Sequence, residues 1–443
     1  MSTTIQLDDH KIVGKMKLMN AVNNGPVRPR STQTRGNFDS YSAAGFPYAR
    51  THDSNDYPDY GAPHIIDITA IFRNFDADEN DPASYDFTMS DAYIQTILDS
   101  GTKVFYRLGQ TIENGIKKYG VIPPKDFGKW ARICEHIIMH FNEGWADGFH
   151  HNIDYWEIWN EPDLRHENYT VSPTWQGTPE QFFDFYEIAA KHLKSRFPRL
   201  KIGGPSLASS GDWAEKFLAE MRRREVPLDF FSWHRYDRKP NRVGDTCVVF
   251  REMLDRHGYT ETESILNEWN YVQNWTTDFV YSLQAIAGIK GASYSAAVIC
   301  SCQNNPLDML MYYDASVGAI WNGLFDFITL APRKTYYPYF AFNQLMMLEN
   351  QVHLECENPN VYALAASDGK QTRLLVTYFN NDDATPAEDV ELKFTADRAG
   401  EMRIYLTDRE QDNALVRAVK ITEGEQTVKL PMKLFDIYHI TLE

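Results

Sequence analysis

Two short segments of the sequence place a carboxylate in similar surroundings. Glu161 lies in Trp-Asn-Glu-Pro (159–162), and Glu268 lies in Asn-Glu-Trp-Asn (267–270). Each segment closes a short run rich in β-branched or aromatic residues, the pattern of a strand. Two carboxylates aimed into one cleft are what cleavage of a glycosidic bond requires. One protonates the departing oxygen, and the other attacks the sugar or activates water.

Eight such strand-like segments alternate with helical patterns along the first three quarters of the chain. The clearest helix begins at Thr178, where Thr-Pro-Glu-Gln forms a capping box, and a second runs over about 125–141. Eightfold alternation predicts a parallel (β/α)8 barrel, whose strand C-termini face the active site. Glu161 then closes the fourth strand and Glu268 the seventh. The predicted strands are 17–22, 48–53, 102–109, 154–161, 200–207, 228–236, 263–269 and 293–301.

The pattern changes after about residue 346. Seven short strand-like segments follow, separated by Asp, Gly, Asn and Pro, and no helical period appears among them. This spacing predicts an antiparallel β-sandwich. We therefore expect a catalytic barrel over 11–345 and an accessory β-sandwich over 346–443. Residues 1–10 are grouped with the sandwich, because Thr3–Leu7 could add a strand to it.

The composition and net charge disfavour several classes of protein. The 443 residues carry 44 Lys and Arg against 61 Asp and Glu, a net charge of −17. This balance disfavours binding to nucleic acid or to anionic lipid, and no apolar run reaches the length of a membrane helix. Five scattered cysteines and a start without a secretory pattern favour a cytoplasmic protein with reduced thiols. A homo-oligomer is left open.

The two carboxylate motifs resemble those of the retaining glycoside hydrolases of clan A. Within that clan the chain is most similar to glycoside hydrolase family 39, the β-xylosidase and α-L-iduronidase family. Further matches are Arg50-Thr51-His52, the segment 229–236, and Gly323-Leu324 followed by 333–338. The resemblance implies a retaining exo-glycosidase that hydrolyses small glycosides or oligosaccharides by double displacement, without metal or cofactor.

The resemblance also implies roles for single residues. Glu161 would be the general acid/base and Glu268 the nucleophile, and Asn160 would hydrogen-bond the sugar 2-hydroxyl. Tyr236 would donate to Glu268, and His234 would lie at the rim of the same subsite. The remaining substrate contacts would come from Arg50 on the nucleophile side, His52 on a sugar hydroxyl, and an aromatic ring such as Trp321.

The sequence leaves open which aromatic residue packs against the sugar and which sugar is bound. A tryptophan is expected after the eighth strand, but Cys302, Gln303 and Asn304 follow the predicted one, and the nearest aromatics are Tyr312, Tyr313 and Trp321. Arginines after the first strand (Arg28, Arg30 and Arg35) would suit a uronic acid carboxylate, or form only a solvated loop. The alternatives are a glycosidase for a uronide, arabinoside or galactoside, and a non-catalytic carbohydrate-binding barrel.

Two other features have structural interpretations. Glu157 lies two and four residues before Trp159 and Glu161, so strict alternation points all three the same way, with Glu157 deeper in the barrel. A buried carboxylate needs a partner there, either Arg50 or Arg107. His136 and His140 have the spacing of a zinc helix, but Ile137 occupies the position of the usual Glu, so no metal site is predicted.

Overall fold

The computed structural model describes residues 3–29, 35–52, 66–164 and 171–443. Eight parallel strands close into a barrel in chain order, which confirms the predicted (β/α)8 architecture. The first strand of the chain, β1 (Thr3–Lys15), precedes them and is part of the second domain. The barrel strands are β2 (Leu18–Asn23), β3 (Tyr48–Arg50), β4 (Lys103–Leu108), β5 (Tyr155–Ile158), β6 (Lys201–Leu207), β7 (Phe230–Asp237), β8 (Glu263–Tyr271) and β9 (Met309–Tyr312).

Helices cover the outside of the barrel. The capping box predicted at Thr178 is present. The Thr178 side chain accepts from the Gln181 backbone N–H, and the Gln181 side chain accepts from the Thr178 backbone N–H. The described helices are α1 (Phe38–Ala44), α2 (Ile68–Ile71), α3 (Thr88–Asp99), α4 (Phe127–Glu143), α5 (Pro179–Arg196), α6 (Asp212–Arg223), α7 (Pro240–Arg256), α8 (Phe279–Ile286), α9 (Ile289–Gln303) and α10 (Tyr336–Met346).

The eighth barrel strand lies later in the chain than the sequence predicts. The segment 293–301 is the middle of helix α9, and the strand is Met309–Tyr312. Nearly all of α9 is buried, because it packs between the barrel and the second domain. A helix buried on every side shows a continuous apolar run, which cannot be told from a buried strand by its periodicity.

No single helix among the described residues is long and apolar enough to cross a membrane. Helices α8 and α9 reach that length and apolarity only when taken as a pair, and the chain bends by 80° between them.

The second domain is one nine-stranded, mainly antiparallel sheet. Strand β1 lies inside it, antiparallel to β10 (Asn350–Cys356) and parallel to β13 (Glu388–Ala396). Apolar residues from both ends of this sheet meet in one core, so the sheet curls over itself. The other strands are β11 (Val361–Ser367), β12 (Thr372–Tyr378), β14 (Gly400–Thr407), β15 (Ala414–Ile421), β16 (Gly424–Met432) and β17 (Ile437–Leu442).

The barrel interior is layered. Its lower end is filled by a small apolar cluster, in which rings such as Phe105, Tyr155 and Phe230 pack together. Above that plug, towards the strand C-termini, the interior becomes polar and contains Arg50 and Glu157, both fully buried. The layering provides a rigid floor for side chains at the barrel mouth.

Candidate active site

A strained turn after β5 places Glu161. The strand ends at Ile158, and Trp159 and Glu161 have φ angles of 74° and 46°. Such left-handed conformations cost about 1–3 kcal/mol each in residues other than glycine. They are fixed by neighbouring strands, since Trp159 N donates to Leu108 O at 2.8 Å and Glu161 N donates to Ser206 O at 2.9 Å.

The same turn changes the direction of Trp159. Its indole packs against Trp130 of α4 and Phe185 of α5 instead of entering the barrel with Glu157. The strict alternation expected over 154–161 therefore ends at Ile158, because the next residues are no longer in a strand. The tryptophan acts as an anchor between the turn and the helices, and its Nε1 donates to Thr174 O at 2.9 Å.

A β-bulge in β8 places Glu268. Pairing with β7 shifts by one residue at Asn267, so that Trp233 faces Leu266 and His234 faces Glu268. Asn267 and Glu268 are consecutive, yet both side chains enter the barrel: Asn267 Nδ2 donates to Glu157 at 2.6 Å, and Glu268 accepts from Arg50. Bulges commonly redirect a side chain beside an active site.

Arg50 connects the buried layer to the mouth. Its Nε donates to Glu157 at 2.6 Å and its Nη1 to Glu268 at 2.8 Å. Its Nη2 donates to Asn160 Oδ1 at 2.7 Å and to Ser206 Oγ at 2.9 Å. One guanidinium thus holds these four side chains in a fixed arrangement, as a planar fork of donors is suited to do.

Glu157 is satisfied entirely within the barrel. Besides Arg50, it accepts from Ser232 Oγ at 2.6 Å and from Asn267. Of the two arginines considered from the sequence, Arg50 is its partner, whereas Arg107 pairs with Asp67 at 3.1 Å. Glu157 therefore has a structural role beneath the site.

Glu268 is surrounded by donors. Tyr236 Oη donates to its Oε2 at 3.0 Å, and His52 Nε2 lies 2.8 Å from its Oε1. Burial alone would raise the pKa of Glu268, but His234, His52 and Arg50 outweigh it and hold the pKa well below its usual range. Glu268 is therefore an ionised carboxylate. Burial and then the charge of Glu268 raise the pKa of Tyr236 well above its usual value, so this phenol remains a donor.

Glu161 faces Glu268 across a narrow gap with His234 between them. His234 Nδ1 lies 2.7 Å from Glu161 Oε1 and 3.4 Å from Glu268 Oε2, and its Nε2 lies 2.7 Å from Ser206 Oγ. The histidine is thus buried at the base of the pair, deeper than the rim position expected from the sequence. One oxygen of Glu161 comes within 4.8 Å of one of Glu268.

The same three side chains are the one set of potential metal ligands that lie close together in the described part of the chain. Both nitrogens of His234 already have protein partners, Glu161 and Ser206, and both oxygens of Glu268 are held by donors. Metal binding would require these contacts to break. His136 and His140 have different partners, the Arg132 carbonyl and Asp91.

Asn160 and the aromatic residues complete the mouth. Asn160 Oδ1 accepts from Arg50, while its Nδ2 is buried and has no protein partner within the described residues. Behind His52 lies the ring of Tyr313, 5.2 Å away, directly after the corrected eighth strand. Trp321, partly exposed, packs against both Tyr313 and Tyr236.

Several residues of this site were not singled out for it in the sequence. Ser206, Ser232 and Asn267 form its buried hydrogen-bond support, and Asn23 accepts from Arg50 at 3.1 Å. Only Asn267 carried a signal, its position beside Glu268. The residues predicted from the motifs do come together: Glu161, Glu268, Asn160, His234, Tyr236, Arg50, His52 and Trp321.

The arginines considered for a uronic acid are engaged elsewhere. Arg28 pairs with Asp99 at 2.8 Å, and Arg35 donates to the Phe327 carbonyl at 3.3 Å. Arg30 lies outside the described residues.

The separation of the carboxylates indicates what the site can do. Covalent double displacement uses carboxyl groups about 5–5.5 Å apart, whereas the inverting route needs about 6.5–9.5 Å to admit a water molecule. Oxygens within 4.8 Å of one another fit the shorter spacing. Glu268 is held ionised and is contacted by Arg50, Tyr236 and His52. Glu161, 8% exposed, contacts a histidine and opens to the mouth.

Known proteins share this sequence pattern and this fold. A β-xylosidase of Geobacillus stearothermophilus is 29% identical in an alignment of 333 positions that covers 68% of this chain and 62% of that protein. A β-xylosidase of Caldicellulosiruptor saccharolyticus is 29% identical over 43% of this chain and 37% of that protein. The chain thus covers less than two thirds of the length of these relatives.

Solved structures match over the whole chain. A glucosidase from Croceicoccus marinus has a TM-score of 0.81 at 22% identity, covering 100% of this chain and 99% of that one. A monomeric β-xylosidase from Caulobacter crescentus has a TM-score of 0.71 at 18% identity, covering 99% of each. At these identities the likeness shows the fold. The sequence model of glycosyl hydrolases family 39 matches residues 36–316, and the chain belongs to this family.

Proposed function

We propose that the protein is a retaining exo-glycosidase that acts on small glycosides or oligosaccharides, with β-xylosides as the expected substrates. The observation that carries the proposal is the approach of Glu161 and Glu268 to within 4.8 Å at the barrel mouth. Family membership supports the glycosidase activity, and the two related β-xylosidases support the sugar.

In the first step, Glu268 is the nucleophile. Its ionised oxygen attacks the anomeric carbon while the glycosidic bond breaks, which forms a glycosyl ester on the protein. Glu161 gives its proton to the departing oxygen, so that the leaving group departs as an alcohol. Tyr236 and Arg50 orient the attacking carboxylate, because each donates to one of its oxygens.

In the second step, Glu161 reverses its role. Now ionised, it removes a proton from a water molecule that attacks the anomeric carbon, and Glu268 departs as a carboxylate. The sugar is released with its original anomeric configuration. His234 contacts Glu161 and lies near Glu268, so it positions the acid/base residue through both steps.

The free amide nitrogen of Asn160 supports a sugar contact beside this pair. Arg50 donates to the oxygen of this amide and so fixes its orientation. The buried Nδ2 of the same amide is left as an unpaired donor in a fixed direction. A buried unpaired donor is costly unless a ligand satisfies it. We assign it to the sugar 2-hydroxyl, a contact that strengthens in the transition state.

The experiment is a panel of 4-nitrophenyl glycosides tested with wild type, Glu161→Ala and Glu268→Gly. The β-xyloside should be hydrolysed by wild type, Glu268→Gly should lose that activity, and Glu161→Ala should turn the substrate over more slowly. Azide should restore turnover to Glu268→Gly and give a glycosyl azide of inverted anomeric configuration. Full activity in either variant would exclude the assignment, and binding of sugars without turnover by wild type would favour a non-catalytic barrel.

A further inference from the structure

A cluster of aromatic side chains extends outward from the nucleophile. Tyr236, whose hydroxyl bonds to Glu268, packs its ring against Trp275 at 5.3 Å and against Trp321 at 5.1 Å. The two tryptophans lie 5.8 Å apart, and Phe279 contacts both. We call these four residues, Tyr236, Trp275, Phe279 and Trp321, the aromatic wall.

Exposure increases along the wall from the site towards solvent. Tyr236, Trp321 and Phe279 are partly buried, whereas Trp275 is 59% exposed. Trp275 lies on the short loop between β8 and α8, and Trp321 on the loop after β9, so both belong to the face of the barrel that contains the carboxylates. The neighbours in sequence of Trp321 and Phe279 are also apolar and exposed, since Ile320 is 63% and Val280 is 66% exposed.

Trp275 is the most exposed member of the wall, at the end that faces solvent. The cleaved sugar must place its anomeric carbon between Glu161 and Glu268. The indole of Trp275 packs against the ring of Tyr236, whose hydroxyl donates to Glu268, so the wall leads from the nucleophile out to the exposed Trp275. A ring lying on Trp275 would then be the next ring of the substrate, beyond the one that the carboxylates hold.

We propose that the aromatic wall is the binding surface for the leaving group and that Trp275 selects leaving groups with a flat apolar face. A planar aryl group and a second sugar ring each present a flat apolar face. An indole with one solvent-exposed edge can stack on either. The inference rests on the proposed glycosidase function and names the substrate class of that site. A leaving group without a ring gains nothing from the wall.

The test compares three β-xylosyl substrates in wild type and Trp275→Ala: the 4-nitrophenyl glycoside, xylobiose and the fluoride. The fluoride leaving group has no ring, so the xylosyl fluoride measures the chemical step without any contribution from the wall. We expect the ratio of kcat/KM for the aryl glycoside or xylobiose over that for the fluoride to fall about tenfold, the effect of losing one aromatic contact. The arm that loses more identifies an aryl or a sugar leaving group. Trp275→Phe should keep most of the ratio.

Tyr119→Ala is the matched control. Tyr119 is 69% exposed on the loop between β4 and α4, on the same face of the barrel, and its ring packs against Lys117. It should leave both ratios as in wild type. Unchanged ratios in Trp275→Ala, or an equal fall in Tyr119→Ala, would overturn the role of the wall while leaving the glycosidase function intact. Failure of wild type to hydrolyse all three substrates would overturn both.

Discussion

Arg50 joins two carboxylates that lie at different depths of the barrel, donating to Glu157 at 2.6 Å and to Glu268 at 2.8 Å. The lower carboxylate is fully buried, and the upper one is 4% exposed at the mouth. The orientation of the proposed nucleophile is therefore tied to the rigid interior and does not depend on a surface loop.

Replacing Arg50 should cost stability as well as activity. In Arg50→Met, Glu157 loses its cation in a buried setting, and removing one partner of such a pair destabilises by about 3–5 kcal/mol. Urea unfolding should show this loss. The double variant Arg50→Met/Glu157→Gln should recover part of it, because the uncompensated charge is gone. A single variant within about 1 kcal/mol of wild type would contradict the role of the pair.

Tyr236→Phe should impair the nucleophile without removing it. The lost hydrogen bond stabilises the ionised form of Glu268, so the pKa of this carboxyl should rise and the acidic limb of kcat/KM should move to higher pH. A hydrogen bond to a charged group contributes about 1.5–3 kcal/mol, so kcat/KM should fall about 10- to 100-fold. A lower rate with an unmoved acidic limb would show that Tyr236 acts on something other than Glu268.

The loss of activity in Glu161→Gln should depend on the leaving group of the substrate. General acid catalysis contributes about 10²–10⁴-fold, and it matters most when the departing alcohol is a poor leaving group. Xylobiose hydrolysis should therefore fall far more than attack on an activated aryl xyloside, measured as kcat/KM. Equal losses on both substrates would assign Glu161 a different role.

Glu268 should make stability depend on pH in a defined direction. Its pKa is depressed in the folded protein relative to the ordinary value of 4.5, so its ionised form contributes stability at pH values above that point. The contribution should be lost as pH falls through the folded pKa. Unfolding free energies of wild type and Glu268→Gln, measured from about pH 7 to about pH 3, should converge as the solution is acidified. A constant difference would contradict the depressed pKa.

The sequence predicted the barrel, the second domain and the residues that meet at the mouth. The barrel and the two glutamates follow from local signals, such as the capping box at Thr178 and the carboxylates that close two strands. The other residues at the mouth follow from the resemblance to the family. The support beneath the site could not be predicted in this way. Asn267 and Glu268 enter the barrel together only because of a bulge that depends on pairing with β7, and alternation alone would separate them.

The misplaced eighth strand had a consequence for the aromatic platform. With 293–301 as the eighth strand, the residues directly after it are Cys302, Gln303 and Asn304, and the nearest rings lie about ten to twenty residues further on, at Tyr312, Tyr313 and Trp321. The strand at Met309–Tyr312 is followed instead by Tyr313, whose ring lies 5.2 Å from His52. Burial of α9 on all sides depends on the second domain, which local periodicity cannot reveal.

The central claim is that Glu268 becomes covalently bonded to the sugar while Glu161 supplies and removes the proton. A 2-deoxy-2-fluoro-β-xylosyl fluoride slows both steps but the second one more, so the ester should accumulate. Mass spectrometry of peptides from the treated protein should show the fluorosugar on Glu268 and nowhere else. An adduct on Glu161, or turnover of xylosides to the inverted anomer with no adduct, would contradict the account.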